Sequence, residues 1–249
     1  SRCTMGAIVS EEPLLAPNIE TIGEAHFYVD PNYNFATHHG GEAKGASWDL
    51  PTRFLGNVLE YIKANASTSL KDKKIFIHVK EGTVDNTDSY KSGRVRTTSL
   101  DIPSNVTILG SYDEELTGTD LSKRNPVTTP TVISGNLLDN YKYNIAHLIN
   151  INGGKNITID GIKITLANAN SPELGNTNQN GAAITLTNCA KDGSGKPTIH
   201  FRNIIVSNCY GDKGTVVYAD KSAADFENCI FHNNTTATIN GSGLVYGVN

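Results

Sequence analysis

Apolar and polar residues alternate along four separated stretches of this chain, 106–110, 157–164, 199–206 and 224–231, and the four can be laid over one another. Alternation with period two is the mark of a strand with one buried face. In three of the four the alternation breaks at a two-residue step, Asp160-Gly161, Arg202-Asn203 and Glu227-Asn228, and then resumes. Gly or Asn holds the second step position, as a sharp bend through left-handed backbone requires. The same alignment makes Gly110 the bend of the first stretch. Repeated strand–bend–strand units predict a solenoid.

Around the repeats the pattern predicts further elements. Residues 1–25 lack periodicity and read as an extended leader, leaving 26–249 as one solenoid domain. His26-Phe27-Tyr28-Val29-Asp30-Pro31 reads as a first strand ended by proline. A Gly- and His-bearing loop covers 32–46. Asp49 as N-cap, Pro51 in the first turn and a stripe of Phe54, Leu55, Val58, Leu59 and Ile62 then predict an amphipathic α-helix over 49–65. Such a helix must bury its stripe, and the open N-terminal end of a solenoid core is the natural place, so it is expected to act as a cap. Residues 74–82 read as a strand with a Gly stop, and companion strands fall at 132–134, 147–151, 183–186 and 216–219. A coil needs about twenty to twenty-five residues. The steps from Gly110 to Gly161 and from Gly161 to Asn203 are longer, which predicts excursions at 113–131, 167–180 and 190–197, all rich in Gly, Asn, Pro or Asp.

Superposing the units states which side chains should meet. Inward columns are Ile157/Ile199/Ala224, Ile108/Ile159/Phe201/Phe226, Ile162/Ile204/Cys229 and Ile164/Val206/Phe231. Outward columns are Thr158/His200/Asp225 and Asp160/Arg202/Glu227. The second is acid, base, acid, as charges on rungs about 4.8 Å apart should alternate. The last residues, 244–249, read as the opening strand of another coil with no cap after it, as in a chain cut from a longer one, and such an end could pair with a second copy.

Composition narrows the class. The 249 residues are 38% hydrophobic and 18% charged, with net charge -4 and the two signs mixed along the chain. That argues against nucleic acid or an anionic membrane as main partner. No apolar run reaches the ~20 residues of a transmembrane helix. Cys3 reads as a plain thiol in preference to a lipid-anchor site, because Arg2 is not the small residue expected before one. Cys189, Cys209 and Cys229 recur at equal spacing without any CxxC or Cys/His metal pattern, and read as small buried hydrophobes. Asn-x-Ser/Thr sequons at Asn65, Asn105, Asn156, Asn233 and Asn234 are what a turn-rich β protein produces by composition.

Several of these stretches carry a family resemblance. They are Phe27-Tyr28-Val29-Asp30-Pro31, Gly45-Ala46-Ser47-Trp48-Asp49, Ile77-His78-Val79-Lys80-Glu81-Gly82-Thr83, residues 102–110, and Ile157-Thr158-Ile159-Asp160-Gly161-Ile162. Together they resemble the right-handed parallel β-helix proteins of the pectin-lyase-like group, and more narrowly the cell-surface members of gut Bacteroidetes. Residues 226–234, followed by Gly241-Ser242-Gly243-Leu244, are similar to repeats of polymorphic outer-membrane adhesins. The resemblance implies an all-β, right-handed, single-stranded parallel β-helix and a secreted or outer-membrane-surface location, with or without a lipid anchor. It leaves activity open, since this fold hosts lyases, hydrolases, adhesins and stalks.

The chemistry-bearing residues sort as follows. Lyases of this group use an Arg or Lys base, often with calcium held by several Asp; calcium enters only under that alternative, and no other cofactor or metal is expected. Arg202, between Asp160 and Glu227, is stabilised in its charged form, the wrong direction for a base, so a salt-bridge ladder is expected. Hydrolysis would need two carboxylates at defined separation, for which Asp160, Asp225 and Glu227 are the candidates, but the clustered Asp motifs of such enzymes are absent. His38-His39-Gly40-Gly41-Glu42 reads as a solvated loop in preference to a metal site. His200 near Asp225 reads as a ladder contact in preference to a proton shuttle, and Tyr141 and Tyr143 on a loop with Lys142 suit sugar stacking and equally suit a plain rim on the coil. The candidate ligand-binding set is thus Asp160, His200, Arg202, Asp225, Glu227, Tyr141 and Tyr143. The expected function is binding of polysaccharide or another surface without catalysis. The alternatives are a polysaccharide lyase or glycoside hydrolase, and a structural stalk.

Overall fold

The computed structural model describes residues 23–33, 45–84, 95–116, 123–170, 179–236 and 243–248. Cys3 and the 38–42 loop lie outside them, as do 117–122 and 171–178 of the expected excursions.

Three sheets run the length of the molecule. Sheet 1 holds β1 (Glu24–Val29), β2 (Lys74–Lys80), β5 (Val106–Tyr112), β8 (Ile157–Asp160), β11 (Ile199–Arg202) and β15 (Asp225–Glu227). Sheet 2 holds β3 (Gly82–Val84), β6 (Thr131–Ser134), β9 (Ile162–Thr165), β12 (Ile205–Ser207) and β16 (Ile230–His232). Sheet 3 holds β4 (Leu100–Asp101), β7 (Ile149–Asn152), β10 (Ile184–Thr187), β14 (Val217–Asp220) and β18 (Val245–Val248). A short pair, β13 (Tyr210–Gly211) and β17 (Thr235–Thr236), lies between sheets 2 and 3 in chain order. From β2 onward the chain visits sheets 1, 2 and 3 in rotation, and the described pairings between strands are parallel. The result is an all-β parallel solenoid whose coils stack in register.

The stacking matches the expected columns. Ile108, Ile159, Phe201 and Phe226 are partners in consecutive strands, with the two Phe rings stacked at 5.0 Å. His200 faces Thr158 and Asp225, and Arg202 faces Asp160 and Glu227. Period-two alternation delivers this because every inward residue meets its equivalent one coil away, and a slip by one would turn the whole set outward. Cys189 and Cys209 are buried free thiols, and burial pushes that of Cys209 up to about 12.

The bends hold left-handed residues, Gly161 (φ 73), Asn203 (φ 50) and Asn228 (φ 53) between sheets 1 and 2. Leu166, Asn208 and Asn233 repeat the conformation on leaving sheet 2, and Gly153, Asn188 and Lys221 on leaving sheet 3. One bend differs from the expectation. In β5 the left-handed residue is Ser111 (φ 65), because the register slips between His78 and Lys80 and admits an extra residue. Ser111 is fully buried and anchored, donating through Oγ to the Gly161 carbonyl at 2.7 Å. Gly110 is needed for close approach instead: a Cβ there would lie 2.3 Å from Ile162 Cδ1.

Two element limits also move. The helix α1 is Leu55–Asn65, and Asp49 and Pro51 do not open it. Thr52 instead bridges Val29, taking hydrogen bonds to Tyr28 and Asp30 that hold the segment extended until Phe54. The stripe itself is buried, with Leu55, Val58 and Ile62 fully so, in the same core as Phe27 and Ile77. At the other end, β18 pairs with β14 in sheet 3, so 245–248 close a coil that began at β15 and do not open a new one.

Candidate functional site

Outward residues of sheet 1 form two rows across the coils. One is His26, Phe76, Thr107, Thr158, His200 and Asp225; the other is Tyr28, His78, Leu109, Asp160, Arg202 and Glu227. The first row floors an open groove of about 680 Å3 that spans β2, β5, β8 and β11 through Phe76, Thr107, Thr158 and His200. Four rungs at ~4.8 Å give a run of about 14 Å. Lys73, Lys74 and Lys155 stand along it with Asp72 and Asp192. Asp192 is engaged by its own turn: its Oδ1 accepts from Ser194 Oγ at 2.8 Å and from the backbone N–H of Ser194 and Lys196. Those bonds, the Ser194 hydroxyl first, hold its carboxyl below the ordinary value.

The structure divides the seven sequence-predicted residues. His200 lies in the groove with its Nδ1 3.4 Å from Asp225 Oδ2. Arg202 Nε lies 3.2 Å from Glu227 Oε2, both groups well exposed. Asp160, beside Arg202 in register, is ion-paired elsewhere: Arg124 Nη2 lies 3.0 Å from its Oδ1, and Asn203 Nδ2 donates to the same oxygen at 2.8 Å. The expected three-member ladder is therefore a pair plus a separate brace. Arg124 wins Asp160 because it sits nearly buried above it and also donates to the carbonyls of Gly110 at 2.7 Å and Asp160 at 2.8 Å. Nothing in the periodicity pointed to Arg124, which lies in an excursion.

Tyr141 and Tyr143 lie apart from sheet 1, on a 3-10 turn between β6 and β7. Both rings are exposed, Tyr141 at 70%. The turn is clamped by Arg96, whose guanidinium donates to the carbonyls of Lys142, Asn144 and Asn168.

The densest chemistry on sheet 1 was not singled out from the sequence. Tyr28, Trp48, Leu109, Tyr112 and Leu116 form a second apolar cluster outside the sheet, with His78 among them at 3% exposure. His78 Nδ1 lies 2.9 Å from the Tyr112 hydroxyl, and its Nε2 lies 3.1 Å from His26 Nδ1. Burial, with the charges of His26 and Arg124 adding to it, lowers the His78 pKa to about 3, so the ring is neutral at ordinary pH. Lys80 Nζ sits 5.2 Å from the Trp48 ring centre and donates to the Glu114 carbonyl at 2.6 Å. This cluster straps residues 45–52 and 113–116 to the sheet, and its reactive groups are closed to a ligand. The signal that could have found it is Phe76-Ile77-His78-Val79-Lys80, where the outward positions carry an aromatic and two polar groups too bulky to be incidental.

Among the described residues no three His, Cys, Asp or Glu side chains are grouped to hold a metal ion. No described helix is long and apolar enough to cross a membrane. No family model, curated protein or solved structure matches this chain.

Proposed function

We propose that this is a secreted or cell-surface right-handed parallel β-helix protein of the pectin-lyase-like kind, binding an extended polysaccharide along the outer face of sheet 1 without catalysis. The observation that carries the reading is the open groove crossing four coils, floored by Phe76, Thr107, Thr158 and His200 and edged by three lysines. A groove built from a regular repeat suits a ligand that is itself a repeat. Lysine ammonium groups favour a chain bearing carboxylate or sulfate. Right-handed crossover is the rule for parallel strands joined within one sheet. The helix α1 shares its buried stripe with the core of Phe27, meets the Phe27 ring again through Tyr61 at 5.8 Å and lies against β4, which suits a cap on the first coils. Arg202 is a poor base beside Glu227.

The test is calorimetric titration with acidic and neutral oligosaccharides, with calcium and with chelator, alongside assays for unsaturated and reducing ends. Binding without new ends, weakened about tenfold by Lys74→Ala with Lys155→Ala, is the expected result. New ends would make the protein an enzyme. No binding to any glycan would leave the stalk reading.

A further inference from the structure

We infer that the cleft between the Tyr141 turn and the corner after sheet 2 is a second saccharide site, built for a neutral, polyhydroxylated chain. It goes beyond the sheet 1 groove and does not rest on it. The cleft holds about 570 Å3 and is lined by Tyr141, Lys142, Asn168, Asn170, Asn208 and Tyr210, with Asn233 and Thr235 one coil further on.

Its chemistry differs from that of the groove. Among the described residues that line it there is no carboxylate, and Lys142 is the one charge. Three side-chain amides, those of Asn170, Asn208 and Asn233, make no hydrogen bond to the described residues, and each offers a donor pair and an acceptor. Asn168 is already engaged: its Nδ2 donates to the Tyr141 carbonyl at 2.9 Å and its Oδ1 accepts from Asn170 N–H at 3.0 Å. Ser207 pairs with His232, so the next residues, Asn208 and Asn233, stand on successive coils about 4.8 Å apart. Asn168, Tyr210 and Thr235 stack on three coils in the same way. Hydroxyl-rich ligands need such paired donors and acceptors, together with a flat apolar surface for the C–H face of the ring.

Tyr141 supplies that surface, and the backbone that carries it is held in place before any ligand arrives. The Arg96 guanidinium ties the turn to the neighbouring coil through three carbonyls, and Asn140 Oδ1 accepts from Lys142 N–H at 3.1 Å. With that backbone ordered in advance, binding has only the ring's own rotation to restrict. Tyr143, on the same turn, does not line the cleft.

The competing account is that Asn208 and Asn233 are present only because their backbones are left-handed, at φ 55 and 53. Glycine separates the two accounts, since it keeps that conformation at no steric cost and removes the amide. The experiment is saturation-transfer NMR and titration with cello-, malto- and manno-oligosaccharides. The proteins are the parent chain, Tyr141→Ala, the double variant Asn208→Gly with Asn233→Gly, and the double variant Lys74→Ala with Lys155→Ala. The expected result is binding of at least one neutral series, weakened about tenfold by Tyr141→Ala and three- to tenfold by the glycine pair, and unchanged by the lysine pair. Absence of transfer from every neutral series would overturn the inference. So would binding that either cleft variant leaves unaltered, or that the lysine pair reduces equally. Failure of acidic-chain binding in the lysine pair tests the groove alone, so the two sites stand or fall separately.

Discussion

The outer face of sheet 1 is two different places at its two ends. A single row of outward positions runs Tyr28, His78, Leu109, Asp160, Arg202, Glu227, each the ladder partner of the next. At β1, β2 and β5 it is interior: Tyr28, His78 and Leu109 are at most 8% exposed, under Trp48, Tyr112 and Leu116. At β11 and β15 it is surface, with the Arg202 and Glu227 side chains half or more exposed. The alternation is the same throughout. The difference comes from chain that returns over the face at the first coils, at 45–52 and 113–116, while the last two rungs carry no such cover among the described residues. An outward position therefore states a direction, and the return of a loop decides whether that direction is solvent.

The sharpest break of this contrast is Tyr112→Ala. Tyr112 is fully buried although it is carried on the outer side of the ladder opposite Lys80. Its truncation is expected to cost about 3–5 kcal/mol in denaturant unfolding, as for a core aromatic. A cost under about 1 kcal/mol would mean that the outer cluster does not seal.

Next in size is Asp160→Ala, midway along the row. It leaves the Arg124 guanidinium, only 11% exposed, without its carboxylate, and should cost about 2–3 kcal/mol. The double variant with Arg124→Ala should recover part of that loss, since the unpaired buried charge is then gone. A cost no larger than that of a surface pair would place Asp160 with Arg202 after all.

Acid titration separates the two ends by a third route. The His78 pKa is lowered to about 3 in the folded chain, against about 6.5 when unfolded. Between those values the unfolded state binds more protons. Its contribution to stability is thus complete above about pH 6.5 and is lost as pH falls toward 3, at up to about 1.4 kcal/mol per pH unit. The groups facing the ring are His26, Tyr112, Tyr28, Phe76 and Trp48, with the charge of Arg124 nearby. From about pH 6 to pH 4 the loss should reach roughly 2 kcal/mol, and His78→Gln should flatten that part of the curve. An unchanged pH dependence in the variant would mean that His78 is not the group responsible.

The same contrast explains which parts were legible in the sequence. Period-two alternation made the inward columns legible, because burying one face tolerates no slip: Ile108, Ile159, Phe201 and Phe226 meet as read, although on the last coil Ala224, Phe226, Cys229 and Phe231 are only half-buried. The Asn bends were legible because few residues accept a left-handed backbone. Ser111 escaped because a register slip leaves no mark on apolar spacing. The partner of Asp160 escaped for a related reason. Arg124 arrives from an excursion with no period, and a contact made by a loop that returns in space leaves no signature along the chain. The start of α1 failed because Asp49 and Pro51 suit a helix locally, but a tertiary bridge from Thr52 to Val29 takes the backbone first.

The smallest effect is the most diagnostic for function. Arg202→Ala removes a pair that is open to water and screened by salt, and stability should change by less than about 1 kcal/mol. Such a pair contributes little to the fold, so it can be changed while the coil stays intact. If Arg202→Ala alters glycan binding at unchanged stability, the exposed end of the row is part of the ligand surface beside His200. If binding too is unchanged, the ligand lies wholly on the first row, over Phe76, Thr107, Thr158 and His200. The pair would then do no more than match charges between neighbouring rungs.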